Sequence, residues 1–288
     1  MSLQEIKKVG VIGSGAMGSQ IAMVCALAGY DVVLNDISND ALVNAKESLE
    51  GHMNRRIKKG RLSEEEVKVA FDRMSFDSSL SSLSDVDFVI EAIVEKLDVK
   101  RELFEQLDRI TPSHCILSTN SSTIVSSKLA DATQRPDQVC NVHFFNPALV
   151  MDLVEVVKGE HTSIETANTA FEFVKNINKT PVLLKKEISG FVANRILGKL
   201  MDEAVYLLEN GYANHEEIDL VCTKALNHPI GPFALMDLTG IDVNYYVRMQ
   251  RYEESGNEAE MPAKIVQEKV AKGELGRKTG KGFYTYNK

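Results

Sequence analysis

Residues 9–18 read VGVIGSGAMG, a short apolar run followed at once by a Gly-x-Gly-x-x-Gly pattern. The run Val9–Ile12 predicts a buried strand, and the apolar spacing of Met17–Ala28 predicts an amphipathic helix directly after the glycines. A glycine pattern placed between a strand and a helix is the arrangement in which an α/β domain binds a dinucleotide. The start of the chain therefore predicts an α/β fold with a nucleotide-binding turn.

Each glycine of this turn has a predicted physical role. Gly13 permits the tight turn, Gly15 lets the backbone approach a pyrophosphate, and Gly18 allows close packing of helix on strand. The N-terminus of the following helix would face the phosphates. We expect the cofactor to contact the whole loop, which comprises Gly13, Ser14, Gly15, Ala16, Met17 and Gly18.

A carboxylate at the end of the second predicted strand selects among dinucleotides. Asp36 follows the apolar run Val32–Asn35. A carboxylate at this position accepts hydrogen bonds from the adenosine ribose hydroxyls. It would repel the 2′-phosphate of NADP, and Ile37 offers no positive charge to offset that repulsion. The predicted cofactor is therefore NAD, with a flavin dinucleotide, or a ligand-free glycine turn beside a surface carboxylate, as the alternatives.

Strands and helices alternate as far as about residue 186. Strands are predicted at Val9–Ile12, Val32–Asn35, Phe88–Glu91, Ile116–Ser118, Val139–His143 and Leu153–Val157. Helices are predicted at Met17–Ala28, Ala41–Lys58, Lys96–Ile110 and Ile164–Ile177. Because continuous apolar runs are typical of parallel strands covered on both faces, residues 1–186 predict a Rossmann-type, doubly wound, mostly parallel sheet. The long crossover Ala41–Phe71 predicts a helical-hairpin insertion, broken at Lys59–Arg61.

The pattern changes in residues 187–288, which predict an all-helical C-terminal domain. Phe191, Leu197 and Leu208 belong to a helical apolar spacing that Gly211 ends. Further helices are predicted at Glu216–Leu226, 231–238, 241–254 and 262–272. The chain of 288 residues thus predicts an α/β domain followed by a smaller α domain.

The bulk composition excludes several classes of protein. Apolar residues make up 44% and charged residues 26%, which is typical of a soluble globular enzyme. The net charge of −8 argues against a non-specific nucleic-acid binder. The four cysteines form no C-x-x-C pair, so we predict reduced thiols, no metal site and a cytoplasmic location. We expect neither a membrane span nor a secretory signal, because no sufficiently long apolar run is present.

A histidine and a glutamate stand out as a candidate catalytic pair. His143 ends a predicted strand, and the carboxyl ends of parallel strands face the ligand crevice. Near neutral pH, histidine is the side chain best suited to remove a hydroxyl proton. Glu155 lies inside the apolar run Leu153–Val157, where a carboxylate is costly unless it is paired. His143 alone could equally be structural, but a His143–Glu155 pair would satisfy the carboxylate and orient the imidazole.

Two further polar positions are candidates with competing explanations. Ser122 belongs to the segment Thr119-Asn120-Ser121-Ser122 after a predicted strand, and Asn194 lies early in the first helix of the second domain. Serine and asparagine after a strand are also common turn and N-cap residues. Asn194 could equally be a solvated helix residue, so pattern alone leaves both positions open.

At this point the sequence resembles a known family, the short-chain L-3-hydroxyacyl-CoA dehydrogenases of the bacterial 3-hydroxybutyryl-CoA type. The resemblance runs in order through nearly the whole chain. Its motifs are Gly13–Gly18, Asp36, VIEAIVE at 89–95, TNSS at 119–122, HFFNP at 143–147, LVEV at 153–156, GFVANR at 190–195, NHPIGP at 227–232 and GRKTGKGFY at 276–284.

The resemblance implies a role for each matching residue. His143 would be the general base, Glu155 would orient it, and Ser122 and Asn194 would hold the substrate oxygen. The implied NAD contacts are Glu95, Lys100, Ser122, Asn146 and Lys278, in addition to the glycine turn and Asp36. The implied substrate is an acyl-CoA, and the implied assembly is a homodimer through the C-terminal helical domain.

The enlarged crossover carries the densest basic cluster of the chain, comprising Arg55, Arg56, Lys58, Lys59 and Arg61. The resemblance implies that this helix contacts CoA, with Lys59 as the best-matching cation and His52 at a nearby position where many relatives have a small hydroxyl residue. A cation paired with a CoA phosphate is physically sensible. Alternatively, basic residues collect near Gly60 because the dipole at a helix C-terminus favours them, and both explanations stay open.

Two other functions remain as alternatives. One is an NAD-dependent dehydrogenase for a small free hydroxy acid or sugar acid on the same scaffold, for which the basic cluster would have no use. The other is a non-catalytic, crystallin-like NAD-binding protein, because a fold alone does not specify chemistry. An intact His143–Glu155 pair argues against the second alternative.

Overall fold

The computed structural model describes residues 6–286, apart from the side chain of Glu254. The strands in this range are β1 Lys8–Ile12, β2 Asp31–Asn35, β3 Met74–Asp77, β4 Phe88–Glu91, β5 Ile116–Thr119, β6 Val139–Phe144, β7 Leu153–Val157 and β8 Thr180–Leu184. They form one sheet in the order β3-β2-β1-β4-β5-β6-β7-β8. All neighbouring strands are parallel except β6 and β7, which are antiparallel. The doubly wound, mostly parallel sheet predicted from the sequence is confirmed.

Helices cover both faces of this sheet. They are α1 Ala16–Leu27, α2 Asn39–Lys58, α3 Glu64–Asp72, α4 Leu97–Ile110, α5 Ser127–Ala130 and α6 Ile164–Asn176. Buried side chains of α1, α2, α3 and α6 share one core, and those of α4 and α5 share another. Side chains alternate along β1, with Val9 and Val11 in the first core and Ile12 in the second. Burial on both faces explains why the central strands are continuous apolar runs.

The connection between β2 and β3 is the enlarged crossover that the sequence predicts. Helix α2 ends at Lys58 and α3 begins at Glu64, so the break lies at the predicted position beside Lys59–Arg61. Ser63 begins α3 with a capping box, since its hydroxyl accepts the Glu66 N–H and the Glu66 carboxylate accepts the Ser63 N–H. Both helices pack against α1, so they also add cover to the first core.

The sequence prediction lacked the two edge strands, β3 and β8. Strand β3 exposes alternate residues, and β8 contains Pro181 and is largely exposed on one face. An edge strand tolerates proline because one of its sides makes no ladder hydrogen bonds. Neither strand has the continuous apolar run by which the central strands were predicted. The short helix α5 was also missed, because four residues are too few to display a helical period.

The chain divides into two compact units after Phe191, whereas the sequence predicts a boundary between residues 186 and 187. Residues 1–5 and 287–288 of the predicted domain ranges lie outside the described residues. Phe191, expected within the first helix of the second domain, instead precedes it with φ of 47°, and Gly190 before it has φ of 76°. These two positive φ angles keep the chain from entering a helix until Ala193.

The second unit is helical, as the sequence predicts. Its helices are α7 Ala193–Glu209, α8 His215–Lys224, α9 Pro232–Thr239, α10 Ile241–Ser255 and α11 Lys264–Ala271. Buried side chains from these helices form its core around Phe233 and Met236, joined by Phe283 from the last residues. Across residues 6–286, we find no helix with the combination of length and apolar character that crossing a bilayer requires.

Two buried carboxylates bind the C-terminal segment of the second unit through hydrogen bonds. Asp237 accepts hydrogen bonds from the backbone N–H groups of Phe283 (2.9 Å) and Tyr284 (2.8 Å). Asp219 accepts two from the first turn of α9 and one from the Tyr284 hydroxyl at 2.8 Å. A Cβ atom at Gly282 would lie 2.0 Å from an Asp237 oxygen, so only glycine fits. Packing of the unit therefore accounts for Gly282 of the GRKTGKGFY segment.

Candidate active site at the carboxyl edge of the sheet

The glycine turn between β1 and α1 has the geometry that a dinucleotide site needs. Gly13 has φ of 95°, and a Cβ atom there would lie 2.6 Å from the Ala92 carbonyl oxygen. A Cβ atom at Gly18 would lie 1.8 Å from the Gly13 oxygen, so glycine alone lets α1 start against the turn. At Gly15, by contrast, no described atom lies within 4 Å of the Cβ position. The open approach to Gly15 at the helix N-terminus fits a pyrophosphate.

The carboxylate of Asp36 is oriented by this same turn. One of its oxygens accepts hydrogen bonds from the Ser14 backbone N–H (2.7 Å) and the Ser14 hydroxyl (2.8 Å). The other oxygen accepts the Ser38 N–H at 3.0 Å. A carboxylate has roughly four acceptor positions, so three donors still leave room for a ribose hydroxyl. The next residue, Ile37, is 93% exposed and uncharged, so it brings no cation to a 2′-phosphate.

His143 and Glu155 lie directly opposite each other on the antiparallel strands β6 and β7. Directly opposite residues point to the same face of a sheet with their Cβ atoms close together. The His143 Nδ1 atom lies 3.0 Å from Glu155 Oε2. The two side chains are only 7% and 2% exposed, so the contact is shielded from water. The structure thus brings together the two residues that the sequence pairs, through an antiparallel register that apolar runs alone do not predict.

Two aromatic rings pack against the imidazole of this pair. The Phe145 ring meets the His143 imidazole edge-on, with centroids 4.6 Å apart, and the Phe191 ring lies 5.4 Å away. The chain then leaves β6 through Asn146, which is exposed, and a cis-Pro147. Apolar rings on two sides of the imidazole exclude water there and restrict the ring to one orientation.

A second buried ion pair lies at the ends of β4 and β5. Lys100, on α4, is 1% exposed and donates to Glu91 Oε1 at 2.5 Å. The same Glu91 carboxylate accepts the Ile93 N–H at 2.7 Å and the Thr119 hydroxyl at 2.7 Å. Lys100 also lies 3.3 Å from Glu95. The buried charge of Lys100 is therefore shared between two carboxylates at the carboxyl edge of the sheet.

Glu95 completes this network and keeps its negative charge. Burial raises the pKa of Glu95, but hydrogen bonds from the Ser121 and Thr123 hydroxyls, together with Lys100, outweigh burial and lower the pKa overall. Glu95 and Lys100 were predicted as cofactor residues, whereas Glu91 was not. Its signal was available, because a carboxylate at the end of an apolar strand requires a partner for the same reason as Glu155.

The loop after β5 places Ser122 beside this network. Asn120 accepts the Phe144 N–H at 2.8 Å, which ties the loop to the strand of His143. The Ser121 N–H donates to the Thr119 hydroxyl at 3.1 Å. Ser122 itself is partly buried, and its carbonyl accepts the Gly190 N–H at 3.2 Å. The ends of β4, β5 and β6 are thus hydrogen-bonded into one edge that carries Glu95, Ser122 and His143.

The basic residues at the end of α2 do not all behave alike. His52 is partly buried, and its Nδ1 atom accepts a hydrogen bond from Arg55 at 3.0 Å. Burial, followed by the charges of Arg55 and Arg56, lowers the pKa of His52. Lys59 is exposed at the helix end, whereas Arg56 donates a hydrogen bond to the Leu149 carbonyl. Only some of the cluster therefore presents its charge to solvent.

Two predicted site residues belong to the second unit. Asn194 lies in the first turn of α7 and is partly buried. Lys278 lies in the short turn after Gly276, and its Nζ atom is 2.6 Å from an Asp242 oxygen. This ion pair fixes the Lys278 ammonium within its own unit, with its side chain 47% exposed.

Two family models together match almost the whole chain. The model described as "3-hydroxyacyl-CoA dehydrogenase, NAD binding domain" matches residues 8–188. The model described as "3-hydroxyacyl-CoA dehydrogenase, C-terminal domain" matches residues 190–286. The matched segments contain the glycine turn, the His143–Glu155 pair and the helical second unit.

Individual proteins match over the same length. A 3-hydroxybutyryl-CoA dehydrogenase of Bradyrhizobium diazoefficiens is 39% identical, over 98% of this chain and 96% of the relative. The solved structure of (S)-3-hydroxybutyryl-CoA dehydrogenase from Ralstonia eutropha has 40% identity and a TM-score of 0.91, over 99% and 100% of the two chains. A solved diketoreductase, described as acting on dicarbonyl compounds, has 34% identity and a TM-score of 0.88, over 98% and 99%.

Proposed function

The chain belongs to the 3-hydroxyacyl-CoA dehydrogenase family, and on this premise we propose that it interconverts L-3-hydroxyacyl-CoA and 3-oxoacyl-CoA with NAD(H). Its first unit is the NAD-binding domain of that family. We propose 3-hydroxybutyryl-CoA as the substrate, because relatives at 39% and 40% identity over nearly the whole chain carry that name.

The buried His143–Glu155 pair is the observation that carries this proposal. With the proton on Nδ1 directed at Glu155, the Nε2 atom of His143 has a lone pair that can take the 3-hydroxyl proton. NAD, when bound, supplies the hydride acceptor. The Glu155 carboxylate stabilises the positive charge that His143 gains at this step. In the direction of reduction, His143 returns the proton to the forming hydroxyl.

The other site residues are assigned on the family resemblance and their local surroundings. We propose that Ser122 and Asn194 bind the substrate oxygen, and that Lys59 and His52 lie along the CoA. For the cofactor we propose Asp36 and the glycine turn on the adenosine and pyrophosphate side, completed by Glu95, Lys100, Ser122, Asn146 and Lys278. The exposed charge of Lys59 and the open approach to Gly15 support these assignments.

Steady-state NADH oxidation by the purified chain tests the proposal. We expect turnover with acetoacetyl-CoA and much lower rates with free acetoacetate or with NADPH. His143→Gln should abolish turnover while NADH binding, followed by fluorescence, survives. His114→Gln is the matched control, since His114 pairs with Asp87 at the opposite, amino edge of the sheet and should retain full activity. Undiminished turnover by His143→Gln would remove the basis of the catalytic assignment.

Reduction of a free dicarbonyl compound is the second candidate. It is favoured by one observation, the similarity of the whole chain to a diketoreductase structure. A free substrate would leave the exposed cations of α2 without a ligand, whereas a CoA ester places a phosphate within reach of a cation. Equal kcat/KM values for acetoacetyl-CoA and free acetoacetate would favour this candidate over the CoA ester.

We further propose that the protein is a cytoplasmic homodimer. The second unit exposes large apolar side chains on α8 and α10, with Leu220 56%, Val221 57% and Tyr246 62% exposed. Large apolar side chains exposed to this extent favour burial against another protein surface. We expect Leu220→Glu to weaken a dimer measured by light scattering, and Ile164→Glu, on the first unit, to leave it intact. The buried, unpaired cysteines are consistent with a reducing compartment.

A further inference from the structure

The loop 145–152 joins the strand of His143 to the strand of Glu155. Its first residues are Phe145, which packs on the His143 imidazole, and the exposed Asn146. The rest of the loop is one compact turn, in which the Pro147 carbonyl accepts the N–H groups of both Val150 and Met151 at 2.9 Å. The later carbonyls of such a helical turn are not used by its backbone N–H groups, and they attract cations.

Cationic side chains donate hydrogen bonds to three of these carbonyls. Lys179 donates to the carbonyls of Ala148 and Met151, each at 2.8 Å. Arg56, on α2, donates to the Leu149 carbonyl. The Leu149 N–H in turn donates to Gln20, a buried residue of α1, at 3.1 Å. The turn is therefore held from three separate parts of the first unit.

Holding the turn in this way brings two positive charges together. Burial lowers the pKa of Lys179, an effect that Asp152 opposes and the charge of Arg56 reinforces. Burial, followed by the charge of Arg61, lowers the pKa of Arg56. Since desolvation and mutual repulsion both disfavour this arrangement, the carbonyls of the turn must compensate for it. Arg56 is thus committed to the protein's own backbone, unlike the exposed Lys59 on the same helix end.

We propose that Arg56 is a positioning residue that holds loop 145–152, and with it Phe145 and Asn146, in place beside His143, and that it does not bind CoA. This inference rests on the proposed function and divides the basic cluster into two parts. Arg56 donates a hydrogen bond to the loop that joins the strands of His143 and Glu155. Lys59 is exposed and is the residue that binds the nucleotide part of the substrate. Without these hydrogen bonds the loop would be mobile. The His143 imidazole would then lose its edge-on contact with Phe145, and the position of Asn146 would no longer be fixed.

A truncated substrate separates positioning from CoA binding. The assay compares acetoacetyl-CoA with acetoacetyl-N-acetylcysteamine, a thioester that lacks the nucleotide, at saturating NADH. We expect Arg56→Met to lower kcat for both substrates by the same factor, between about 10- and 100-fold. Arg56→Lys, which keeps the charge and a donor, should restore part of this loss. Lys59→Met should raise KM for acetoacetyl-CoA and leave the kinetics of the truncated thioester as they are.

A loss confined to acetoacetyl-CoA in Arg56→Met would identify Arg56 as a CoA ligand and overturn the proposal. Unchanged kcat for both substrates would overturn it too, because the loop would then not need Arg56. Hydrogen exchange provides a readout that does not depend on activity. Backbone amides of 148–151 should exchange faster in Arg56→Met and Lys179→Met, and at the wild-type rate in Lys59→Met. If the wild-type protein is inactive but the variants show this exchange pattern, only the proposed function is refuted. If exchange of these amides is unaltered in Arg56→Met, the proposal that Arg56 holds loop 145–152 is refuted.

Discussion

Replacing Glu155 by glutamine removes one negative charge from the buried pair and leaves its shape nearly unchanged. In the wild type, the carboxylate lies 3.0 Å from the imidazole and is 2% exposed. At an effective dielectric constant of about 20, two unit charges at this distance attract each other by about 5 kcal/mol. Since about 1.4 kcal/mol corresponds to a factor of ten in rate, the loss in kcat has an upper limit of about 10³- to 10⁴-fold.

The expected loss is smaller than this limit for two reasons. The glutamine oxygen can still accept the Nδ1 proton, and only part of the positive charge has formed on His143 in the transition state. We therefore expect kcat for acetoacetyl-CoA reduction to fall by about 10²- to 10³-fold, with the dissociation constant for NADH unchanged. Glu172→Gln, which removes an exposed carboxylate paired with Lys175 on α6, is the control for charge loss. A Glu155→Gln enzyme within threefold of the wild-type kcat would refute the argument that Glu155 stabilises a charged His143.

Three further predictions concern other carboxylates. Asp36→Ala should lower the ratio of kcat/KM for NADH over NADPH by about tenfold or more, because a like charge no longer faces the 2′-phosphate; an unchanged ratio would exclude Asp36 as the discriminating group. The pKa of Glu95 is lowered in the folded state, so its stabilising effect is present above the unfolded pKa of about 4.3 and is lost as pH falls through the folded value. As the pH falls from the unfolded pKa to the folded pKa, the melting temperature should fall less steeply for Glu95→Gln than for the wild type, and parallel curves in that range would contradict the assignment. Asp237→Asn should lower the free energy of unfolding by about 3 kcal/mol in urea titrations, because the NH2 group of the asparagine would face a backbone N–H that then has no acceptor. A loss below about 0.5 kcal/mol would contradict the role given to this carboxylate.

The part of the fold that the sequence predicts is the part that local patterns encode. Burial on both faces makes β1 and β4 continuous apolar runs, and the break between α2 and α3 is encoded by residues near Gly60. Strand β8 is stabilised by pairing with β7 at the sheet edge, which no local pattern records. The antiparallel direction of β7 is likewise invisible locally, because an apolar run has the same composition in either direction. Edge pairing and strand direction are tertiary properties, and a single sequence does not display them.

The site was predictable to the extent that a residue conflicts with its surroundings. Glu155 conflicts with an apolar strand, and this conflict predicts His143 as its partner, found at 3.0 Å. Glu91 conflicts with its strand in the same way, and the structure pairs it with Lys100. The partner in that case comes from a helix, at a separation that no strand register suggests. Arg56 is a residue whose role the sequence does not predict. A cation among other cations at a helix end does not conflict with its surroundings, so nothing in the pattern singles it out. Its bond to a loop carbonyl becomes visible only once the chain has folded, so a charge cluster predicts where positive charge lies and not which residue uses it.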